Sequence, residues 1–248
     1  MIKAVIFDLG GTLIEYAGTY ADWPELETPG MTAAHEMLIK MGVTVPEYEQ
    51  FQAIGFKLLP TRWRQATLGE QNLTVDSLLE EMFETAELSL PSTDILYKAA
   101  RQYEAAFCSG AVPLPDGRQT LAHLQEEGYR LGLISNTMFA GASHISDLER
   151  FGLADYFETM LFSGDANKWK PTTAPFLQVL EALGIDPEQA VYIGDDPASD
   201  VIGGRAAGMK TIYFPSSQRF PSPNGVQPDA TISRLSDLPG CLVALNGA

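Results

Sequence analysis

Apolar and polar positions fall into two regimes along the chain. Five short runs are apolar without alternation: 4–8, 130–135, 159–163, 190–194 and 210–214. Continuous rather than alternating runs of this length predict strands buried on both faces, as in a parallel sheet. From residue 113 onward they alternate with helical patterns. Residues 116–127 carry Leu121 and Leu124 and stop at Gly128, and 172–183 place Phe176, Leu180 and Leu183 on one face. A third helix is expected over 199–207, opened by a capping Ser199 and closed before Gly208. Strand and helix in this rhythm predict an α/β fold, a parallel sheet with helices on both faces.

Residues 15–112 differ. No strand is evident, and amphipathic patterns repeat: 74–88 with Leu78, Leu79, Met82 and Phe83, and 93–107 with Ile95, Leu96, Ala99 and Tyr103. They predict an inserted α-helical cap, with Gly18 and Gly110 as hinges near its ends. The expected division is a core of 1–14 and 113–248 and a cap of 15–112. The stretch 215–228, rich in Pro and Ser, reads as a surface loop before a last short strand near 230–233.

Composition narrows the partners. Acidic residues outnumber basic ones 32 to 16, a formal charge of −16, which argues against nucleic acid and anionic membranes. No apolar stretch reaches the ~18 residues of a membrane helix, and the first apolar run is too short for a signal peptide. Two cysteines, Cys108 and Cys241, are too few for a disulfide framework or a zinc site. A cytoplasmic protein is expected.

In open parallel sheets function gathers at the strands' carboxyl ends. The first strand ends at Asp8 and enters Leu9-Gly10-Gly11-Thr12-Leu13; the second ends Ser135-Asn136; beyond the third comes Lys170-Pro171; the fourth ends Gly194-Asp195-Asp196, with Asp200 five residues past Asp195. Each part suits a phosphate ester. Asp8 is a carboxylate that can attack phosphorus. Gly10 and Gly11 let the backbone approach with N–H groups toward phosphate oxygens. Ser135 offers a hydroxyl, Asn136 a backbone N–H, and Lys170 a positive charge at the start of a helix whose first turn takes Pro171. Asp8 and Asp195 supply hard oxygens for Mg²⁺.

This ordered set resembles the haloacid dehalogenase-like hydrolase superfamily, in the subgroup whose helical cap lies between the first and second motifs. The resemblance spans residues 1 to about 214 and implies a Rossmann-like core. It implies an aspartyl-phosphate on Asp8, Mg²⁺ held by Asp8, the Gly10 carbonyl and Asp195 with Asp196 as a further ligand, and Asp200 orienting Lys170. A small phosphorylated metabolite is the implied substrate. One position departs from the pattern: family phosphatases carry an acid–base Asp two residues after the nucleophile, and here that residue is Gly10. General acid–base help is worth roughly 10²–10⁴ in rate, so alkyl phosphates suffer most. Two alternatives stand beside the phosphatase: a 2-haloacid dehalogenase, and a non-catalytic module that binds a phosphorylated ligand or a protein. Other polar residues carry weaker readings. Glu15 is a candidate substitute acid, Arg62 and Arg64 candidate anion contacts around Trp63, His35 a packing or surface histidine, and Trp169 a packing residue. His123 and His144 fit no pattern.

Overall fold

The computed structural model describes residues 1–16, 23–215 and 225–247. In chain order the elements are β1 (Ala4–Phe7), β2 (Ile14–Glu15), α1 (Thr28–Lys40), α2 (Tyr48–Thr67), α3 (Val75–Thr85), α4 (Thr93–Cys108), β3 (Val112–Pro113) and α5 (Gly117–Glu126). There follow β4 (Arg130–Ser135), α6 (Gly141–Arg150), β5 (Thr159–Phe162), α7 (Ser163–Ala166), α8 (Ala174–Leu183), β6 (Ala190–Gly194), α9 (Ile202–Ala206), β7 (Lys210–Tyr213), β8 (Ala230–Thr231) and α10 (Leu238–Gly247).

The main sheet has six strands in the order β5-β4-β1-β6-β7-β8, all parallel. Side chains alternate between its faces even though the strands are apolar throughout. Ala4, Ile6, Ala190 and Tyr192 pack with Phe176, Val179 and Leu180 of α8. Val5, Phe7, Val191 and Ile193 pack on the other side with Leu121, Leu124, Leu148 and Leu238 of α5, α6 and α10. Burial on both faces is why these strands lack a polar period.

Helices α1 to α4 lie between β2 and β3, with α1 packed on α4 and α2 on α3. The start of α3 is set by a capping box: the Ser77 N–H donates to Thr74 Oγ1 (3.1 Å) and the Thr74 N–H to Ser77 Oγ (3.0 Å). The sequence showed no strand in this region, yet β2 and β3 form an antiparallel ribbon, pairing Ile14 with Pro113 and Glu15 with Val112. Two-residue strands are too short to leave a period. The ribbon falls where the helical insert begins and ends. Of the two expected hinges, Gly110 lies in the turn between α4 and β3, and Gly18 is outside the described residues, as is most of the 215–228 loop.

Two helix starts differ from expectation. The segment after β6 opens as one π-helical turn, Pro197–Val201, before α9. Its cap is Asp196, whose Oδ1 accepts from the Ala198 N–H (2.9 Å), so Ser199 lies inside the turn rather than leading it. Helix α8 begins at Ala174 with Pro175 in its first turn; Pro171 precedes the helix.

Candidate active site

The strand register brings the motif residues together. Phe7 pairs with both Leu133 and Ile193, so Asp8, Ser135 and Asp195 leave the carboxyl ends of three adjacent strands, β4, β1 and β6. All three are buried. Asp8 Oδ1 accepts from Lys170 Nζ at 2.6 Å, and Asp8 Oδ2 from Thr12 Oγ1 at 3.3 Å. Lys170 Nζ also donates to Asp200 Oδ1 (2.7 Å) and Tyr192 Oη (2.8 Å), and the Tyr192 hydroxyl donates in turn to the Ile134 carbonyl (3.0 Å). An ammonium has three donors, and all three of Lys170's are directed at protein. Burial works against the charge on Lys170, but the carboxylates of Asp200 and Asp8 outweigh it and hold its pKa well above the usual lysine value. Burial also pushes the Asp200 carboxyl up against the pull of Lys170.

Oxygens of Asp8, Asp195 and Asp200 lie within 4.8 Å of one another. Three carboxyl groups gather around one ammonium in this buried cluster. Groups so placed repel unless a cation compensates them, and an all-oxygen donor set suits a hard divalent ion. The site residues therefore fit Mg²⁺.

Two glycines make this crowding possible. Gly11 has φ +80°, and a Cβ there would stand 2.2 Å from Asp195 Oδ2; a Cβ at Gly194 would stand 2.1 Å from Asp200 Oδ2. The Gly11 N–H, expected to face phosphate, donates instead to the Ile14 carbonyl (2.8 Å), so Gly11 is needed for close approach rather than as a donor. Gly10 lacks positive φ, and a Cβ on it would meet only Tyr16 Cδ2, at 3.7 Å. Asn136 pins the lysine loop: its Nδ2 donates to the Lys170 carbonyl and its Oδ1 accepts from the Lys170 N–H, both at 2.8 Å. Asp196 borders the site but is engaged as a cap; Asp200 Oδ2 accepts from its backbone N–H (2.9 Å).

These groups open into a cavity of about 590 Å³, lined by Asp8, Gly10, Ser135, Asn136, Lys170, Asp195, Asp196 and Asp200 and by side chains from the helical insert. The family model for haloacid dehalogenase-like hydrolases matches residues 2–208. The chain belongs to this family. A ribulose-1,5-bisphosphate 5-phosphatase of Halopiger xanaduensis is 28% identical over 222 residues, 88% of this chain and 87% of the relative. A phosphoglycolate phosphatase of Escherichia coli is 26% identical over 246 residues, 96% and 91% of the two chains. Among solved structures, a 2-haloacid dehalogenase from Pseudomonas syringae superposes with a TM-score of 0.68 at 28% identity, covering 99% of this chain and all of that one.

In this haloacid dehalogenase-like hydrolase the cavity also gathers residues that no motif announced: Tyr16, Glu27, Thr137 and His144. The Tyr16 hydroxyl meets His144 Nδ1 at 3.0 Å, and His144 Nε2 meets Thr137 Oγ1 at 2.8 Å. The imidazole is stacked between Phe139 and Phe162, and burial lowers its pKa to about 4. Tyr16 and His144 are 128 residues apart, so no spacing rule reveals them. The arginines beside Trp63 are turned elsewhere. Arg62 pairs with Glu81 at 2.8 Å and donates to Gln65 and Gln71, and neither Arg62 nor Arg64 lines the cavity. Glu15 stands in the β2–β3 ribbon. His35 packs on Tyr48 and Phe51, and Trp169 is buried with its Nε1–H donated to Asn72 Oδ1. Trp169 is the packing residue expected, and of the two readings of His35 the structure has the packed one.

Proposed function

We propose that the protein is a magnesium-dependent phosphatase of a small phosphorylated metabolite, with Asp8 as nucleophile and residues 15–112 as a cap over the site. The observation that carries this reading is the buried cluster of Asp8, Asp195 and Asp200, an all-oxygen donor set that suits a hard divalent cation. The phosphatases among its relatives support the same reaction class. Asp8, the Gly10 carbonyl and Asp195 would hold the metal, with Asp196 and Asp200 bordering it. When bound, Mg²⁺ would offset charge on the phosphoryl oxygens.

The chain's own residues do the rest. Lys170 fixes Asp8 Oδ1, which leaves Oδ2, held by the longer bond to Thr12, to attack phosphorus. Ser135 and the Asn136 N–H receive phosphate oxygens, and Lys170 reaches the phosphate by exchanging one of its three protein bonds. Water then cleaves the aspartyl-phosphate and restores Asp8. Gly10 supplies no proton to the leaving group.

The Pseudomonas syringae dehalogenase likeness favours one second reading, attack of Asp8 on the carbon of a 2-haloacid. The acidic cluster weighs against it, since displacement of halide from carbon has no use for a divalent cation. Phosphate release from a panel of esters, with Mg²⁺ and with excess chelator, separates the two. The phosphatase reading expects Mg²⁺-dependent release that Asp8→Asn abolishes, and calorimetric Mg²⁺ binding that Asp195→Asn weakens. Chelator-resistant chloride release from a haloacid would establish the dehalogenase instead.

A further inference from the structure

Beside the cavity lies a second group of ligating side chains. Cys108 is the last residue of α4, and His144 and Asp147 stand three apart on α6, a spacing that puts both on one helix face. The Cys108 sulfur, a ring nitrogen of His144 and a carboxylate oxygen of Asp147 lie within 4.8 Å of one another, and all three residues are buried. None of them has a part in the chemistry at Asp8. Two cysteines are too few for a zinc site by spacing along the chain, but the fold brings an imidazole and a carboxylate to one of them.

The surrounding bonds orient these ligands. Arg150 Nη2 donates to Asp147 Oδ1 (2.8 Å) and to the Cys108 carbonyl (3.2 Å). Asp147 Oδ2 is buried and accepts no hydrogen bond. The charge of Asp147 is felt by both the Cys108 thiol and the Tyr16 hydroxyl, yet neither closes a bond to Oδ2. A buried carboxylate oxygen without a donor is costly, and a cation is one of the few groups that removes the cost. His144 Nε2 stands 2.8 Å from Thr137 Oγ1, which also accepts from the Phe139 N–H (3.0 Å). In a neutral imidazole that gives Nε2–H to Thr137, the Nδ1 lone pair is directed the other way, toward the Tyr16 hydroxyl at 3.0 Å. Metal-ligating histidines are held in this manner, by a hydrogen bond from the second ring nitrogen.

We propose that Cys108, His144 Nδ1 and Asp147 Oδ2 form a site for one borderline-soft divalent cation, Zn²⁺, separate from the hard-ion site at the strand ends. Sulfur, nitrogen and oxygen together suit zinc, which takes three protein ligands and keeps a fourth position open; Mg²⁺ prefers oxygen alone. The ion displaces the Tyr16 hydroxyl from Nδ1, exchanging one neutral hydrogen bond, of small net worth, for a metal–nitrogen bond. Zinc bonds of about 2.0–2.3 Å require the ligand atoms to draw closer. That closing falls on Cys108, whose thiol turns about a single bond at the end of α4, while the His144 ring stays stacked between Phe139 and Phe162. Binding breaks the Cys108 S–H bond as the S–Zn bond forms, and the proton passes to water. The ion ties the end of the helical insert to α6, next to the Gly110 turn. Nothing in this site depends on the phosphatase reading.

The test uses the untagged full chain, stripped of metal with chelator, and Co²⁺ as the probe. One equivalent should give an intense near-ultraviolet thiolate-to-metal band and the visible bands of a tetrahedral ion. Zn²⁺ should bleach both, and millimolar Mg²⁺ should leave them unchanged. Cys108→Ser should lose the near-ultraviolet band. Cys241→Ser should keep it, and so should Asp195→Asn, which disables the strand-end site. Asp147→Asn should weaken Co²⁺ binding by about tenfold or more, and Thr137→Val, which frees the imidazole to turn, by about tenfold. In the parent, Zn²⁺ at a hundred times its dissociation constant should raise the melting temperature by roughly 5–10 °C, and by much less in Cys108→Ser, whose metal-free melt reports its fold. No thiolate band in the parent overturns the proposal without recourse to any variant. A band that survives Cys108→Ser or vanishes in Cys241→Ser, or an affinity unmoved by Asp147→Asn, overturns it as well. Loss of the phosphatase reading would leave it standing.

Discussion

Gly10→Asp tests how the cavity treats its leaving group. The backbone there is outside the left-handed region, and the new Cβ would make one ordinary contact, with Tyr16 Cδ2 at 3.7 Å. Replacing a glycine at a compatible site stabilises by about 0.4–1 kcal/mol through the unfolded chain. Against that stands a fourth carboxylate near Asp8, Asp195 and Asp200, whose cost Mg²⁺ would offset. The variant should therefore melt close to the parent in millimolar Mg²⁺ and lower in chelator. Positioned acid–base groups contribute roughly 10²–10⁴ in rate, or about 3–5 kcal/mol of barrier. An imperfectly placed one should still raise kcat for glycerol 3-phosphate by about tenfold, while phenyl phosphate changes much less. The adjacent glycine is a built-in control. At Gly11 the φ of +80° and the 2.2 Å approach of Asp195 Oδ2 predict that Gly11→Ala costs about 1 kcal/mol in backbone strain and also displaces the metal ligand. Kinetics, calorimetry and thermal melts on both variants make the assay. A folded, Mg²⁺-binding Gly10→Asp with no gain on the alkyl ester would refute the reasoning, because some other group would then already deliver the proton. Unchanged Mg²⁺ affinity in Gly11→Ala would refute the close approach.

Three further outcomes follow from the same geometry. Lys170→Met leaves Asp8 and Asp200 buried without their ammonium; it should destabilise by about 3–5 kcal/mol in urea melts, with partial recovery in Mg²⁺, and a loss under about 1 kcal/mol would contradict the pairing. His144 has a folded pKa of about 4 against 6.5 for the free imidazole, so its contribution is complete above pH 6.5 and is lost as pH falls toward 4. That loss is about 3 kcal/mol, and a urea series from pH 7 to 4 should show a slope that His144→Gln flattens. Thr74→Ala removes the side-chain cap of α3 and should lower stability by about 1 kcal/mol, read as a shift in urea midpoint at constant slope.

Local sequence was enough for the scaffold. Strands β1, β4, β5, β6 and β7 lie within a residue of their apolar runs, because a strand buried on both faces has no room for polar side chains. The motif residues were legible for a related reason. They stand where those runs end, and a parallel sheet puts neighbouring strand ends side by side, so Asp8, Ser135 and Asp195 had to converge. Two helices of the insert, α3 and α4, announced themselves through their 3.6-residue period. Other features depended on pairs of residues far apart in the chain. The β2–β3 ribbon joins Ile14 to Pro113 through strands of two residues, below the length at which a period exists. The turn at Pro197–Val201 winds wider than an α-helix, with Asp196 as its cap. Which of its possible partners Lys170 would satisfy, and that Gly11 would give its N–H to Ile14 rather than to a ligand, turned on distances of a few tenths of an ångström. The cavity wall is the clearest case. Trp23, Trp63, Phe107 and His144 come from separate stretches of the chain, and no local spacing marks any of them as lining a site. Only the packing of the helices over the sheet decides that their rings face the same space as Asp8.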